Sequence, residues 1–231
     1  MRPEYLDEKL QQSLEAMRLE YFDLYLLHRD DPSVPVGELI DALNDHARAG
    51  RIRAFGASNW TTRRISEAND YAKANGLDGF VVSSPNLSLA TQHEEAWPGT
   101  VSVSDQPEEL RWHKAEQFPL LSWSSQARGF FTSRAHPDDR CDSELVRVWY
   151  SDANWERKRR AADLGARVGA TAHQVALAWV LHQPFPTAAL IGPATSEEAQ
   201  ESYDALRLEL TAEQVAWMNL ERDQPDPQFS I

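Results

Sequence analysis

Asp23-Leu24-Tyr25-Leu26-Leu27-His28 decides the fold: a short apolar run of strand-favouring side chains that closes on a polar, titratable imidazole. Parallel sheets and barrels deliver chemistry this way, because the carboxyl end of each strand opens on the rim where the loops gather. A second run of the same build, Ile52-Arg53-Ala54-Phe55-Gly56-Ala57-Ser58-Asn59, ends in Ser58 and Asn59. Two strands aiming polar groups at one rim suggest a site. Side chains alternate along a strand, so Phe22, Leu24, Leu26 and His28 should share one face while Tyr25 turns to the other.

The rest of the chain falls into place around these runs. Residues 3–18 read as an amphipathic helix, with Pro3 in the first turn and Leu6, Leu10, Leu14 and Met17 at helical spacing. The strand at 22–28 is followed by a polar loop and a helix over 36–49 that Gly50 closes. After the strand at 52–58, Asn59 or Thr61 caps a helix running to about residue 75. A third strand is expected at 80–84, an irregular loop at 86–104, a helix at 106–118 and a fourth strand at 119–124. Residues 125–142 read as loop, 154–168 and 171–182 as helices, 188–191 as a fifth strand, and 196–206 and 211–220 as capped helices. Strand and helix alternating in this way predict an α/β fold with a parallel sheet, and leave a barrel and an open sheet both open.

Composition narrows the function. The 231 residues suffice for one core, and nothing in them forces a division, so 1–231 is expected to be a single domain. A net charge of -13 disfavours a nucleic-acid binder; the one dense basic run, Arg157-Lys158-Arg159-Arg160, is expected to be the solvated face of a helix. The single Cys141 excludes an internal disulfide and a cysteine-based zinc site, which fits a cytoplasmic chain. No apolar run has the length of a membrane span. No G-x-G-x-x-G follows a strand and no Walker loop occurs. His28, Asp30 and Asp31 could be hydrolase metal ligands, but no second histidine lies at ligand spacing, so no metal is expected.

Tyr21-Phe22-Asp23-Leu24-Tyr25-Leu26-Leu27-His28, then Gly50-Arg51-Ile52-Arg53-Ala54-Phe55-Gly56-Ala57-Ser58-Asn59-Trp60, then Leu120-Leu121-Ser122-Trp123-Ser124 through Arg128-Gly129, then Leu190-Ile191-Gly192-Pro193-Ala194, in that order, resemble the aldo/keto reductases. The resemblance implies a (β/α)8 TIM barrel that passes hydride between NADP or NAD and a small-molecule carbonyl. It covers the carboxyl-terminal five strand-helix units, so a partial barrel is expected, the amino-terminal three units being absent. By the same resemblance His28 is the active-site histidine, Ser58 and Asn59 hold the nicotinamide carboxamide, and Trp123 is the aromatic on which the nicotinamide stacks. Gly192 to Ser202 matches the segment holding the adenosine phosphate end.

Departures from the family pattern are informative. The usual Gln beside the carboxamide is Ser84, and the following aromatic is Leu87. Glu198 stands where a base commonly recognises the 2′-phosphate of NADP, an exchange that suits a ribose hydroxyl and leaves NADP or NAD open. The family's catalytic Asp, Tyr and Lys precede the region matched here and find no replacement in it. The chain alone is therefore expected to be impaired as a reductase, or else to be a non-catalytic nucleotide-binding or partner subunit. With five strands, 22–28 and 188–191 should be apolar edges open to an oligomer or partner.

Overall fold

The computed structural model describes residues 2–225 and opens on α1 (Pro3–Met17), which buries Leu6, Leu10 and Leu14 along one stripe. Met17, expected on the same stripe, is 62% exposed. The helix stops just beyond it at Arg18, whose left-handed backbone (φ 54°) turns the chain away before the stripe meets another element.

β1 (Phe22–Leu27) pairs in parallel with β2 (Ile52–Ser58), Phe22 opposite Ile52 and Leu27 opposite Ala57. The connection is α2 (Val36–Arg48), which buries Leu39, Ile40 and Leu43 against the sheet. α3 (Thr62–Ala74) follows β2 and is capped by Thr61, whose side chain accepts from the Arg64 N–H; Asn59 is left free for another use. β3 (Ser83–Ser84), β4 (Leu120–Ser122) and β5 (Thr187–Ala189) extend the sheet, every pairing parallel, in the order β1-β2-β3-β4-β5. The chain thus has an α/β fold with five parallel strands.

β3 is shorter than the 80–84 expected. Residues 81 and 82 keep two backbone bonds to β2, Val81 N–H to Phe55 O (3.0 Å) and Ala57 N–H to Val82 O (3.1 Å). The approach there is so close that a Cβ on Gly56 would stand 2.5 Å from the Val82 carbonyl oxygen, which explains a glycine inside a strand. β5 likewise ends at Ala189, with Leu190 N–H still bonded to Ser122 O.

The remaining helices are α4 (Pro107–Glu116), α5 (Ser143–Trp149), α6 (Asp152–Val168), α7 (Ala172–Leu181), α8 (Ser196–Asp204) and α9 (Ala212–Met218). α5 was not expected. Asp142 caps it by accepting from Leu145 N–H, and Leu145, Val148 and Trp149 are buried, but seven residues make too short a window for periodicity. α8 is capped by Thr195 rather than Ser196.

Two buried clusters pack on the helix side of the sheet. One joins α1, α2, α3 and the outward residues of β1 and β2; the other joins the 87–103 segment, α5, α6, α7 and α9. The basic tetrad is only in part a solvated face: Arg159 is exposed and pairs with Glu156 and Asp163, but two of its neighbours are not. Arg160 is 9% exposed and donates to Trp217 O and Arg222 O, while Lys158 donates to Thr132 O and Ala135 O. These side chains tie α6 to backbone carbonyls of neighbouring segments. The opposite face of β1 is open, Leu24 being 39% exposed. Phe22 departs from the expected alternation: it packs beside Tyr25 on the helix-side cluster, ring centroids 6.0 Å apart.

Candidate functional site

The strands end on the same rim, and the first four each hand it a side chain with a hydrogen-bonding group. His28 follows the last residue of β1, Ser58 ends β2, Ser84 ends β3 and Trp123 follows β4. Together with Asn59 they line one cavity of about 390 Å³, whose other walls include Leu26, Trp97 and Leu190.

Asn59 is the hub. It is 4% exposed and sits in the left-handed region (φ 59°), which Asn tolerates better than most residues. Its Nδ2 donates to His28 O (3.1 Å) and Ser58 Oγ (3.0 Å), and its Oδ1 accepts from Val101 N–H (3.1 Å) and Trp123 Nε1–H (3.0 Å). That is the full capacity of a primary amide. One side chain therefore ties the β1 end, the β2 end, the 86–104 segment and the β4 end together. Ser58 Oγ donates to Ser84 O (2.8 Å) and Ser84 Oγ to Leu121 O (2.8 Å), so the hydroxyl hydrogens point into protein and lone pairs remain.

A second cavity, of about 940 Å³, shares Trp123, Ser124 and Leu190 with the first and contains Gly192, Glu198 and Ser202. The Glu198 carboxylate accepts from Ala194 N–H (2.7 Å) and holds the turn before α8. Ser202 Oγ accepts from Gln126 Nε2 (3.1 Å), which also lies 2.7 Å from His173 Nε2. The amide nitrogen is a donor, so His173 Nε2 accepts and the ring is neutral. Burial lowers the His173 pKa against the opposing pull of Glu201 and Glu198. Arg128 and Arg134 also line this cavity, each paired with a carboxylate, Glu144 and Asp142 respectively.

A match to the Aldo/keto reductase family spans residues 1–219. The chain belongs to that family. It is 26% identical over 212 residues to an aldo-keto reductase of Fusarium vanettenii, covering 89% of this chain and 54% of the relative. It is 25% identical over 212 residues to an uncharacterized oxidoreductase of Bacillus subtilis, covering 91% of this chain and 61% of the relative. The chain thus spans between half and two-thirds of these curated relatives. The fold is also that of a thermostable aldo-keto reductase crystallised with the inhibitor epalrestat, with a TM-score of 0.72 at 22% identity, over 95% of this chain and 66% of that one.

Within this aldo/keto reductase chain, the eight predicted site residues divide between two joined cavities, and Trp123 belongs to both. Tyr25 is turned toward the helix-side cluster, where burial raises its pKa, and it does not line the rim cavity. Sequence reasoning missed Asn86, which is fully buried: its Nδ2 donates to Trp123 O (2.9 Å), its Oδ1 accepts from Ser102 Oγ (2.9 Å), and its backbone bonds Val101 and Val103. It also missed Trp97, Gln126 and His173. An amide between Pro85 and Leu87, at the end of a strand, was the available signal for Asn86.

Proposed function

We propose that this chain serves hydride transfer between a nicotinamide dinucleotide and an aldehyde or ketone. The observation that carries the proposal is the continuity of the two cavities through Trp123, one end carrying His28 and the other Glu198 and Ser202. The nicotinamide supplies or takes the hydride when bound. Trp123 offers a flat face whose orientation is fixed by the Nε1–H bond to Asn59, which limits the ring faces that can react. The free lone pairs of Ser58 and Ser84 can accept from a carboxamide NH2. Asn59 can serve a carboxamide only by releasing a bond it already makes. His28, exposed at the rim, donates to the carbonyl oxygen and draws charge from the carbon that receives hydride.

The acids in the second cavity favour NAD over NADP. Glu198 and Glu201 repel a 2′-phosphate, and the arginines nearby are already engaged with Glu144 and Asp142. No tyrosine is among the described residues that line the rim cavity, so the proposal assigns protonation of the carbonyl oxygen to a group beyond them, and slow or no turnover to the 231 residues alone. The same observation favours a second reading, a non-catalytic nucleotide-binding or partner subunit. Both readings have a single cytoplasmic domain whose β1 and β5 edges are available to a partner; among the described residues no helix is long and apolar enough to cross a membrane.

Titration of the chain with NADH and NADPH, followed by tryptophan fluorescence, tests the shelf; quenching is expected, with NADH binding more tightly. Absence of quenching by either dinucleotide defeats the proposal. Quenching together with reduction of an aldehyde, however slow, excludes the second reading.

A further inference from the structure

We propose that Gln126, oriented by His173, sets the specificity of the larger cavity for the 2′ position of a bound nucleotide. With His173 neutral the Gln126 carbonyl oxygen meets a ribose hydroxyl; with His173 protonated the amide is reversed and its NH2 meets a phosphate. The assignment rests on the reading of that cavity as the dinucleotide site and makes the choice between NAD and NADP depend on a proton.

The two side chains sit on segments that are fastened in place. Gln126 lies in the turn after β4, where Ala127 N–H bonds Ser124 O (2.8 Å), Gly129 N–H bonds Gln126 O (3.0 Å) and Ser125 Oγ donates to Leu190 O (2.9 Å). His173 lies in the first turn of α7, and its neighbour Gln174 donates to Glu201 O (3.1 Å), tying α7 to α8. Gln126, His173, Glu198, Glu201 and Ser202 all line the larger cavity.

The Gln126 amide spends both hydrogens, one on Ser202 Oγ (3.1 Å) and one on His173 Nε2 (2.7 Å). What it has left for the cavity is its carbonyl oxygen, an acceptor. An acceptor beside Glu198 and Glu201 suits a hydroxyl and repels a phosphate. A proton on His173 Nε2 turns that nitrogen into a donor, and two donors cannot face each other at 2.7 Å. The amide then rotates by half a turn, its oxygen accepting from His173 and from the Ser202 hydroxyl, and its NH2 facing the cavity. His173 Nδ1 is buried with no partner among the described residues, so nothing on the other edge of the ring competes with Gln126.

Charge moves the same way. Burial resists the proton on His173, and Glu201 and Glu198 of α8 favour it; Arg128 and Arg134, on the loop after β4, line the same cavity but are paired with Glu144 and Asp142. The proton offsets one of the two carboxylates and brings an NH2 donor into the cavity, the two changes a phosphate needs. Because burial holds the His173 pKa below its ordinary value, the reversal belongs below about pH 6.5.

The test is calorimetric titration of the full chain with NAD+ and with NADP+ at pH 7.5 and pH 5.5. His173→Asn serves as the comparison, because it keeps an acceptor for Gln126 that takes no proton. Between the two pH values the parent's preference for NAD+ is expected to fall about 5- to 10-fold further than that of the variant, the range of a charge-assisted hydrogen bond. The titration of the 2′-phosphate itself, near pH 6, is common to both proteins and drops out of the comparison. Equal shifts in the two proteins, or a parent preference for NAD+ that grows as the pH falls, overturn the assignment. Without any nucleotide, the NMR signals of the Gln126 side-chain NH2 should move with the same midpoint as the His173 ring. Binding of a nucleotide while those signals stay fixed sinks the amide reversal alone. Reversal in the signals with neither nucleotide bound at either pH sinks the dinucleotide reading, and the specificity assignment with it.

Discussion

The shelf at the ends of β2, β3 and β4 and the tip of β1 belong to one cavity but are built differently. On the shelf, Asn59 is buried with its amide fully bonded, and Ser58 and Ser84 each spend a hydroxyl hydrogen on a carbonyl. At the tip of β1, the His28 side chain is exposed, and the bond that Asn59 makes there is to the backbone carbonyl. The lesson is that the groups assigned to hold a cofactor are also structural, while the group assigned to chemistry is not. Damage to the first should appear in stability, and damage to the second in function alone.

The largest expected effect comes from breaking the shelf. Asn59→Ala strands the Trp123 indole N–H and Val101 N–H and places a residue without a polar side chain at positive φ; urea denaturation should register a loss of about 3 kcal/mol. Asn86→Ala should cost about as much. A loss below about 1 kcal/mol for both would mean that water replaces these bonds and the shelf is not structural. Next in size, Gly56→Ala forces β2 away from Val82 and should cost about 1 to 3 kcal/mol in the same measurement.

The histidines divide along the same line. Burial lowers the pKa of His46, His113 and His173 below their ordinary value. Below about pH 6.5 the unfolded chain takes up protons that these folded imidazoles resist, so stability is at its full value above that pH and falls as pH drops through it. His113 is the most buried of them, its Nδ1–H donating to Phe118 O (2.9 Å) and its ring stacked on Phe185. Urea midpoints at pH 7.5 and 5.5 should differ, and His113→Phe should narrow the gap; a pH-independent midpoint would show that the burial is not felt. The smallest effect is assigned to His28→Ala, which should leave stability within about 0.5 kcal/mol of the parent. A larger loss would place His28 among the structural residues and erase the contrast.

What was legible in the sequence follows from the range of the interactions involved. β2 was found to its last residue because an apolar run ending in Ser58 and Asn59 is a local signal, and His28, Ser58, Asn59, Ser84 and Trp123 converge because parallel strands in sequence order put their carboxyl ends on one rim. The bond between Asn59 and Trp123 joins residues 64 apart and leaves no local pattern. Trp97 could not be placed for a like reason: its position is set by Arg147 and Val148, on an α5 too short to be read. Within the basic tetrad Arg159 is solvated as its charge suggests, whereas Lys158 and Arg160 are not, because charge in a sequence does not reveal which carbonyls lie within reach of a long side chain.

The order β1-β2-β3-β4-β5 also bears on how the chain acquires its structure. Each strand pairs with the one synthesised immediately before it, so every strand-helix unit can dock as it leaves the ribosome, without waiting for a distant partner. A vectorial route of that kind would seat Ser58 and Asn59 against β1 early, with Trp123 arriving later to take up its bond to Asn59.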